Sequence, residues 1–166
     1  MKRRTVLLGG ASALMLSACS TKFRRYDGPE VTFVVVNKGA RRMYLMHHDK
    51  VLESYDIALG FAPIGDKFIE GDGKTPEGQY LIDRRNPNSR FHLSLGIDYP
   101  RPKDIAEARR LGKSPGGDIF IHGQARPWRR KTKDGDWTWG CIAVSNREME
   151  DVYAMVRNGT PILINP

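Results

Sequence analysis

Two side chains in this sequence have the types and the setting to make and break a covalent bond: the thiol of Cys141 and the imidazole of His122. A thiol becomes a strong nucleophile only when its proton is lost, so a working cysteine needs a base within reach. His122 follows the apolar run Asp118-Ile119-Phe120-Ile121 and precedes Gly123, which suits a residue at the open end of a short buried strand. Cys141 stands in Thr138-Trp139-Gly140-Cys141-Ile142, where Gly140 removes a side chain from the approach to the sulfur. Fifteen residues separate His122 from Thr138, enough to fold a flap over a substrate. The competing reading is an inert buried cysteine and a histidine satisfied by a backbone carbonyl, since free cysteine is among the most buried residue types. A zinc site is a third reading, but only these two residues are placed for it, and His47-His48-Asp49 reads as a solvated turn. No metal and no cofactor are expected.

The elements that must hold this pair are mostly strands. Val31 to Val36 is β-branched and aromatic, Arg42 to Met46 is a second strand, and Val51 to Leu59 a third, with a turn at His47-His48-Asp49-Lys50. Gly60 to Gly78 reads as a long loop with five Gly and two Pro. Gln79 to Asp83 and Phe91 to Asp98 read as strands, separated by a turn-rich loop from Arg84 to Ser89. Asp104 to Leu111 is helical in composition and stops at Gly112. Ser145 with Glu148 three residues on is a capping box, which starts a helix at Asn146 that runs to about Arg157. Pro161 to Ile164 is the last strand. The fold class that follows is mainly β with a few helices, a β-rich α+β domain. Gly73-Lys74-Thr75 and Gly112-Lys113-Ser114 resemble the tail of a phosphate-binding loop, but its leading glycine would fall at Phe68 or Glu107, so both fail.

With 166 residues, the chain is one domain rather than two, and 40% hydrophobic with 28% charged residues is a globular balance. Two cysteines exclude a disulfide-dense scaffold. Residues 1–18 read as a signal peptide: Lys2, Arg3 and Arg4, then an apolar stretch from Thr5 to Leu16, then small residues. Leu16-Ser17-Ala18-Cys19 resembles a bacterial lipobox, which implies a lipid on Cys19, and Arg3-Arg4 resembles a twin-arginine signal. The expected location is the periplasmic side of the cell envelope, lipid-anchored, and Ser20 favours the outer over the inner membrane by resemblance to enteric-type sorting. Residues 19–30 then form the lipidated N-terminus and a polar tether. Losing Lys2, Arg3 and Arg4 takes the net charge from +8 to +5, still basic enough to favour an anionic partner. No nucleic acid is expected, since an exported chain meets none and no recognition motif is present.

His122-Gly123, a loop, and Thr138-Trp139-Gly140-Cys141-Ile142 together resemble the YkuD-type L,D-transpeptidase catalytic domain. Glu70-Gly71-Asp72-Gly73-Lys74-Thr75-Pro76-Glu77-Gly78 is similar to that family's Gly-Asp-x-x-Thr-Pro-Glu-Gly signature, and Asn86-Pro87 with Phe91 to Pro100 to the segment between. The resemblance implies a β-sandwich-like catalytic domain over residues 31–166. It implies Cys141 as nucleophile on the diaminopimelate carbonyl of a peptidoglycan stem peptide, His122 as general base and acid, and backbone N–H groups at Gly140 and Cys141 as oxyanion donors. The thioester would pass to an amine, in wall biogenesis and remodelling, or to water. The Thr-x-Gly-Cys form is similar to a subgroup that includes amidases, so a hydrolase that trims stems or releases wall-bound lipoprotein is the alternative. A non-catalytic wall-binding lipoprotein is the second alternative. Trp139 stands where the family usually has His, and Ala143 where it has Arg or Asn. Expected substrate contacts are Arg126, Trp139, Gly123 and Thr138. Arg126 leads the basic loop Arg126, Arg129, Arg130, Lys131 and Lys133, which is either a solvated face or a partner for stem-peptide carboxylates. Trp128, Trp137 and Trp139 are core or groove wall, with Trp139 the better groove candidate.

Overall fold

The valine run that opens the domain alternates as a half-buried strand should: Val34 and Val36 are buried, while Phe33, Val35 and Asn37 are partly exposed. This is β1 (Phe33–Asn37) of a computed structural model that describes residues 21–125 and 135–166. Positions 1–20, with the signal and Cys19, and the loop 126–134, with Arg126 and Trp128, lie outside the described residues. The chain continues through β2 (Arg42–His47), β3 (Lys50–Asp56), β4 (Gly78–Asn86), β5 (Ser94–Ile97), α1 (Pro102–Arg110), β6 (Phe120–His122), β7 (Ile142–Ala143), α2 (Asn146–Met155) and β8 (Pro161–Asn165). None of the described helices is long and apolar enough to cross a membrane.

The strands form one eight-stranded sheet in the order β3-β2-β1-β8-β4-β5-β6-β7. β1 with β8 and β6 with β7 run parallel, and the other neighbours are antiparallel. β4 changes partner along its length. Gly78 to Leu81 pair with β8, and Ile82 to Asn86 pair with β5 across a register shift. The sheet curls so far that its two edges meet: Ala58, just past β3, bridges Ala143 of β7 through two hydrogen bonds of 2.9 and 2.8 Å. That contact brings the chain after β3 against the segment that carries Cys141. The mainly β class with few helices is the one observed, with two helices among the described residues.

Several boundaries differ from the sequence expectation, each for a local reason. β4 runs on through Arg84, Arg85 and Asn86 where a loop is expected. The two arginines lay their stems on the sheet: Arg84 sits 4.6 Å over the Phe120 ring and Arg85 3.9 Å over the Tyr153 ring. Phe91 to Leu93, expected as strand, stay outside β5 because His92 takes φ of 76° and breaks the extension. β6 starts at Phe120 rather than Asp118, which is also left-handed at φ 55°. α1 starts at Pro102, a residue preorganised for a first helical turn. The capping box of α2 is as expected, with the Ser145 hydroxyl accepting from the Glu148 N–H at 3.3 Å. Residues 21–30 are docked rather than loose. Arg24 pairs with Glu150 at 3.0 Å and Asp151 at 2.6 Å, and Lys22 donates to the carbonyls of Pro87 and His92.

Candidate active site

β6 and β7 pair in parallel with Ile121 opposite Ile142 and His122 opposite Ala143, so Cys141 meets the strand at Phe120. Phe120 and His122 share a face, as alternate residues of one strand do. His122 and Cys141 both line one cavity of about 610 Å³. The Phe120 N–H donates to the Cys141 sulfur at 3.4 Å, and the thiol donates to the Asp118 carbonyl at 3.4 Å. His122 Nδ1 lies 2.6 Å from the Gly123 carbonyl. Only a protonated Nδ1 makes that contact favourable, which leaves Nε2 as the acceptor of the neutral ring. Phe91 and Trp137 enclose the imidazole, with ring centroids 4.5 and 5.7 Å away.

This enclosure sets the protonation states. Burial holds the His122 imidazole down at about 4, against the weaker opposing pull of its Gly123 hydrogen bond. Burial likewise pushes the Cys141 thiol up to about 11, although the Phe120 N–H favours the thiolate. At neutral pH the cavity is therefore lined by a thiol and a neutral base.

The turn that presents Cys141 is tied down on every side. The Thr138 hydroxyl accepts from the Gly140 N–H at 3.2 Å and donates to the Cys141 carbonyl at 2.7 Å. Gly140 has φ of 122°, and a Cβ there would stand 2.6 Å from the Lys74 carbonyl oxygen, so only glycine fits. Thr138 also bridges Gly60, whose own Cβ would fall 2.0 Å from the Gly73 oxygen. The Gly71 to Gly78 signature is thus the floor beneath the cysteine turn. Within it, Asp72 accepts from the Lys67 ammonium and the Phe68, Ile69 and Lys74 N–H groups. Burial raises its carboxyl, but these donors outweigh that and leave it below the ordinary carboxylate value. Thr75 accepts from the Gly60 N–H at 3.2 Å, and Glu77 pairs with Lys38 at 2.8 Å.

Of the residues singled out by sequence, His122, Cys141, Thr138, Trp137 and Trp139 come together around the cavity. Trp139 is 74% exposed and stands edge-on to Phe61 at 5.1 Å. Thr138 is buried with its hydroxyl spent on the turn. Gly123 is buried behind the imidazole, where a Cβ would strike Asn146 Oδ1 at 2.5 Å. The Gly140 N–H is occupied by Thr138, whereas the Cys141 N–H has no acceptor among the described residues. Ala143 is fully buried between Ala58 and His122. Arg126 lies outside the described residues. Sequence reading assigns no role to Phe91, Arg90 or Asp118, which also line the cavity. Their signal was adjacency: Arg90-Phe91 opens the segment between the two motifs, and Asp118 opens the run into His122.

A family model described as the L,D-transpeptidase catalytic domain (YkuD) matches residues 31–164. YafK of Escherichia coli (strain K12), provisionally named an L,D-transpeptidase, is 28% identical over 109 residues, 64% of this chain and 38% of that protein. YkuD of Bacillus licheniformis, named in the same provisional way, is 27% identical over 133 residues, 80% of this chain and 65% of that protein. The crystal structure of the helical cell shape determining protein Pgp2 from Campylobacter jejuni superposes with a TM-score of 0.62 at 30% identity, over 84% of this chain and 49% of Pgp2. The chain thus spans less than two thirds of the length of each of these relatives.

Proposed function

Because this chain belongs to the L,D-transpeptidase catalytic domain family, we propose that it is a cysteine acyltransferase of the cell wall, acting on peptidoglycan stem peptides. The observation that carries this reading is the shared cavity of Cys141 and His122, with His122 Nε2 left as a base by the Nδ1 contact to Gly123. In the proposed reaction Cys141 attacks the carbonyl of the L-centre of diaminopimelate. The thiol proton passes to His122 Nε2 as the C–S bond forms, and from there to the departing amine of the next residue as the C–N bond breaks. An acceptor amine then gives its proton to His122 and attacks the thioester, which returns the thiol. The Cys141 N–H supports the oxyanion in both steps, with Gly140 supplying the backbone shape rather than its engaged N–H.

A neutral pair suits this sequence. Thiol and imidazole exchange one proton only when the carbonyl arrives to take up the developing charge, so no buried ion pair has to be held before substrate binds. Trp139 on the rim and the loop from Arg126 supply the outer substrate contacts in this proposal. Gly123 and Thr138 act one layer back, by fixing the imidazole and the cysteine turn. Residues 1–18 are removed as a signal, Cys19 carries lipid, residues 21–30 join the anchor to the domain, and the protein works on the periplasmic side of the envelope.

The test is to incubate the full chain, in detergent, with purified tetrapeptide muropeptides and to read the products by mass spectrometry. A cross-linked or exchanged product that Cys141→Ala abolishes supports the transferase. Cys141-dependent shortening of stems, or release of lipoprotein from sacculi, makes water the acceptor and the protein a hydrolase. Wall binding without either product leaves a binding lipoprotein and overturns the catalytic reading.

A further inference from the structure

We propose that the cavity recognises a zwitterion, with Arg90 holding a carboxylate and Asp118 an ammonium on the same arm of the substrate. This rests on the reading of Cys141 as the nucleophile toward stem peptides. Among the described residues that line the cavity there is one basic arginine and one acidic aspartate, and they are these two. Arg90 is exposed and makes no ion pair among the described residues, so its guanidinium is available to a ligand. Asp118 is exposed as well. Arg84 reaches its Oδ1 at 3.3 Å but spends both shorter contacts, 2.8 and 3.0 Å, on Asp83, and Asp118 Oδ2 has no partner among the described residues.

The two charged residues adjoin the groups that do the chemistry. Arg90 directly precedes Phe91, whose ring lies 4.5 Å from the imidazole of His122. Asp118 takes a left-handed backbone, φ 55°, and its carbonyl accepts from the Cys141 thiol at 3.4 Å. Along the chain the anion-binding residue thus adjoins the ring packed on the base, and the cation-binding residue adjoins the sulfur. A ligand arm with both charges fits in one orientation only. An arm with one charge leaves the opposite group unanswered, which is how an interface rejects as well as selects. Diaminopimelate has such an arm. Its D-centre carries an ammonium and a carboxylate on one carbon, away from the L-centre carbonyl that Cys141 would attack.

The experiment compares three tetrapeptide donors for the full chain, each with the same excess of one separate primary-amine acceptor and read by release of the donor's terminal residue: donors with unmodified diaminopimelate, with diaminopimelate amidated at the D-centre carboxyl, and with diaminopimelate acetylated at the D-centre amine. The wild-type chain should turn over the unmodified donor with kcat/KM about tenfold or more above either blocked donor, the size of one lost charge-assisted contact. Arg90→Gln should erase the preference for acid over amide and keep that for amine over acetamide. Asp118→Asn, which keeps a residue tolerant of left-handed φ, should do the reverse. A merely structural role would lower all three rates together. Equal wild-type turnover of the three donors, or discrimination unchanged in both variants, overturns this inference and leaves the proposed function standing. Discrimination that survives Arg90→Gln means another cation holds the carboxylate, and this also overturns it. Failure of Cys141-dependent turnover with every donor overturns the functional reading, and the inference with it.

Discussion

His122 is a 4% exposed imidazole that folding keeps neutral, and that choice ties the stability of the domain to pH. Its folded pKa, about 4, lies below the ordinary value of 6.5, so the unfolded chain binds the proton first as pH falls. The stabilisation is fully present above pH 6.5 and is lost as pH drops toward 4, where it amounts to roughly 3 kcal/mol. Denaturant unfolding at pH 7 and at pH 4.5 should show that loss in the wild-type chain. His122→Gln, which cannot titrate, should lose less than half as much over the same interval. Equal acid sensitivity of the two proteins would assign the effect to carboxylates elsewhere. Burial acts on both partners in opposite directions: it lowers the imidazole, which Phe91 and Trp137 enclose, and it raises the thiol.

The elements hold the pair through a floor that is polar and buried, which is costly unless every group in it is answered. Lys38, only 2% exposed, donates to the Gly65 and Thr75 carbonyls and to Glu77. Glu77→Gln leaves that ammonium without its counter-charge and should cost about 3 kcal/mol. Because Thr75 braces Gly60 and Gly60 bridges Thr138, the same change should also slow turnover by Cys141. The pair Lys38→Met with Glu77→Leu should recover part of the stability, as measured by denaturant unfolding of single and double variants. How much of this was legible in sequence differs by element. The valine run of β1 and the Ser145–Glu148 box announce themselves, because burial pattern and capping are local. The end of β4 does not, since Arg84 and Arg85 read as loop until the aromatic rings of Phe120 and Tyr153 are brought beneath them. His122 and Cys141 were legible as a pair from type and spacing, whereas Asp118 was not. Its part in the site comes from a carbonyl and a left-handed φ, which residue identity does not encode. Lys38 looks like an ordinary turn lysine until the Gly60–Gly78 segment folds over it.

At the scale of the whole molecule, the N-terminal segment docks beside the cavity. Lys22 is held by the carbonyls of Pro87 and His92, on the loop whose Ser89, Arg90 and Phe91 line the cavity, and Arg24 is held by α2. Two residues, Ser20 and Thr21, separate Lys22 from Cys19, a reach of roughly 10 Å even when fully extended. Under the proposal that Cys19 carries lipid, the cavity rim is therefore held close to the membrane surface rather than swinging on a free tether. Two variants separate anchoring from catalysis. Cys19→Ser should move the protein from the membrane to the soluble fraction and leave turnover of soluble muropeptides unchanged, because Cys19 precedes the docked segment. A Gly/Ser insert of about 20 residues between Ser20 and Thr21 adds a span of roughly 25 Å. It should keep the protein in the membrane fraction and leave soluble turnover unchanged, while altering which linkages are processed in intact sacculi. A change in soluble turnover in either variant would mean that the N-terminus works on the cavity itself. Identical sacculus products from the insert and the wild type would mean that the short reach from anchor to rim does not select the substrate.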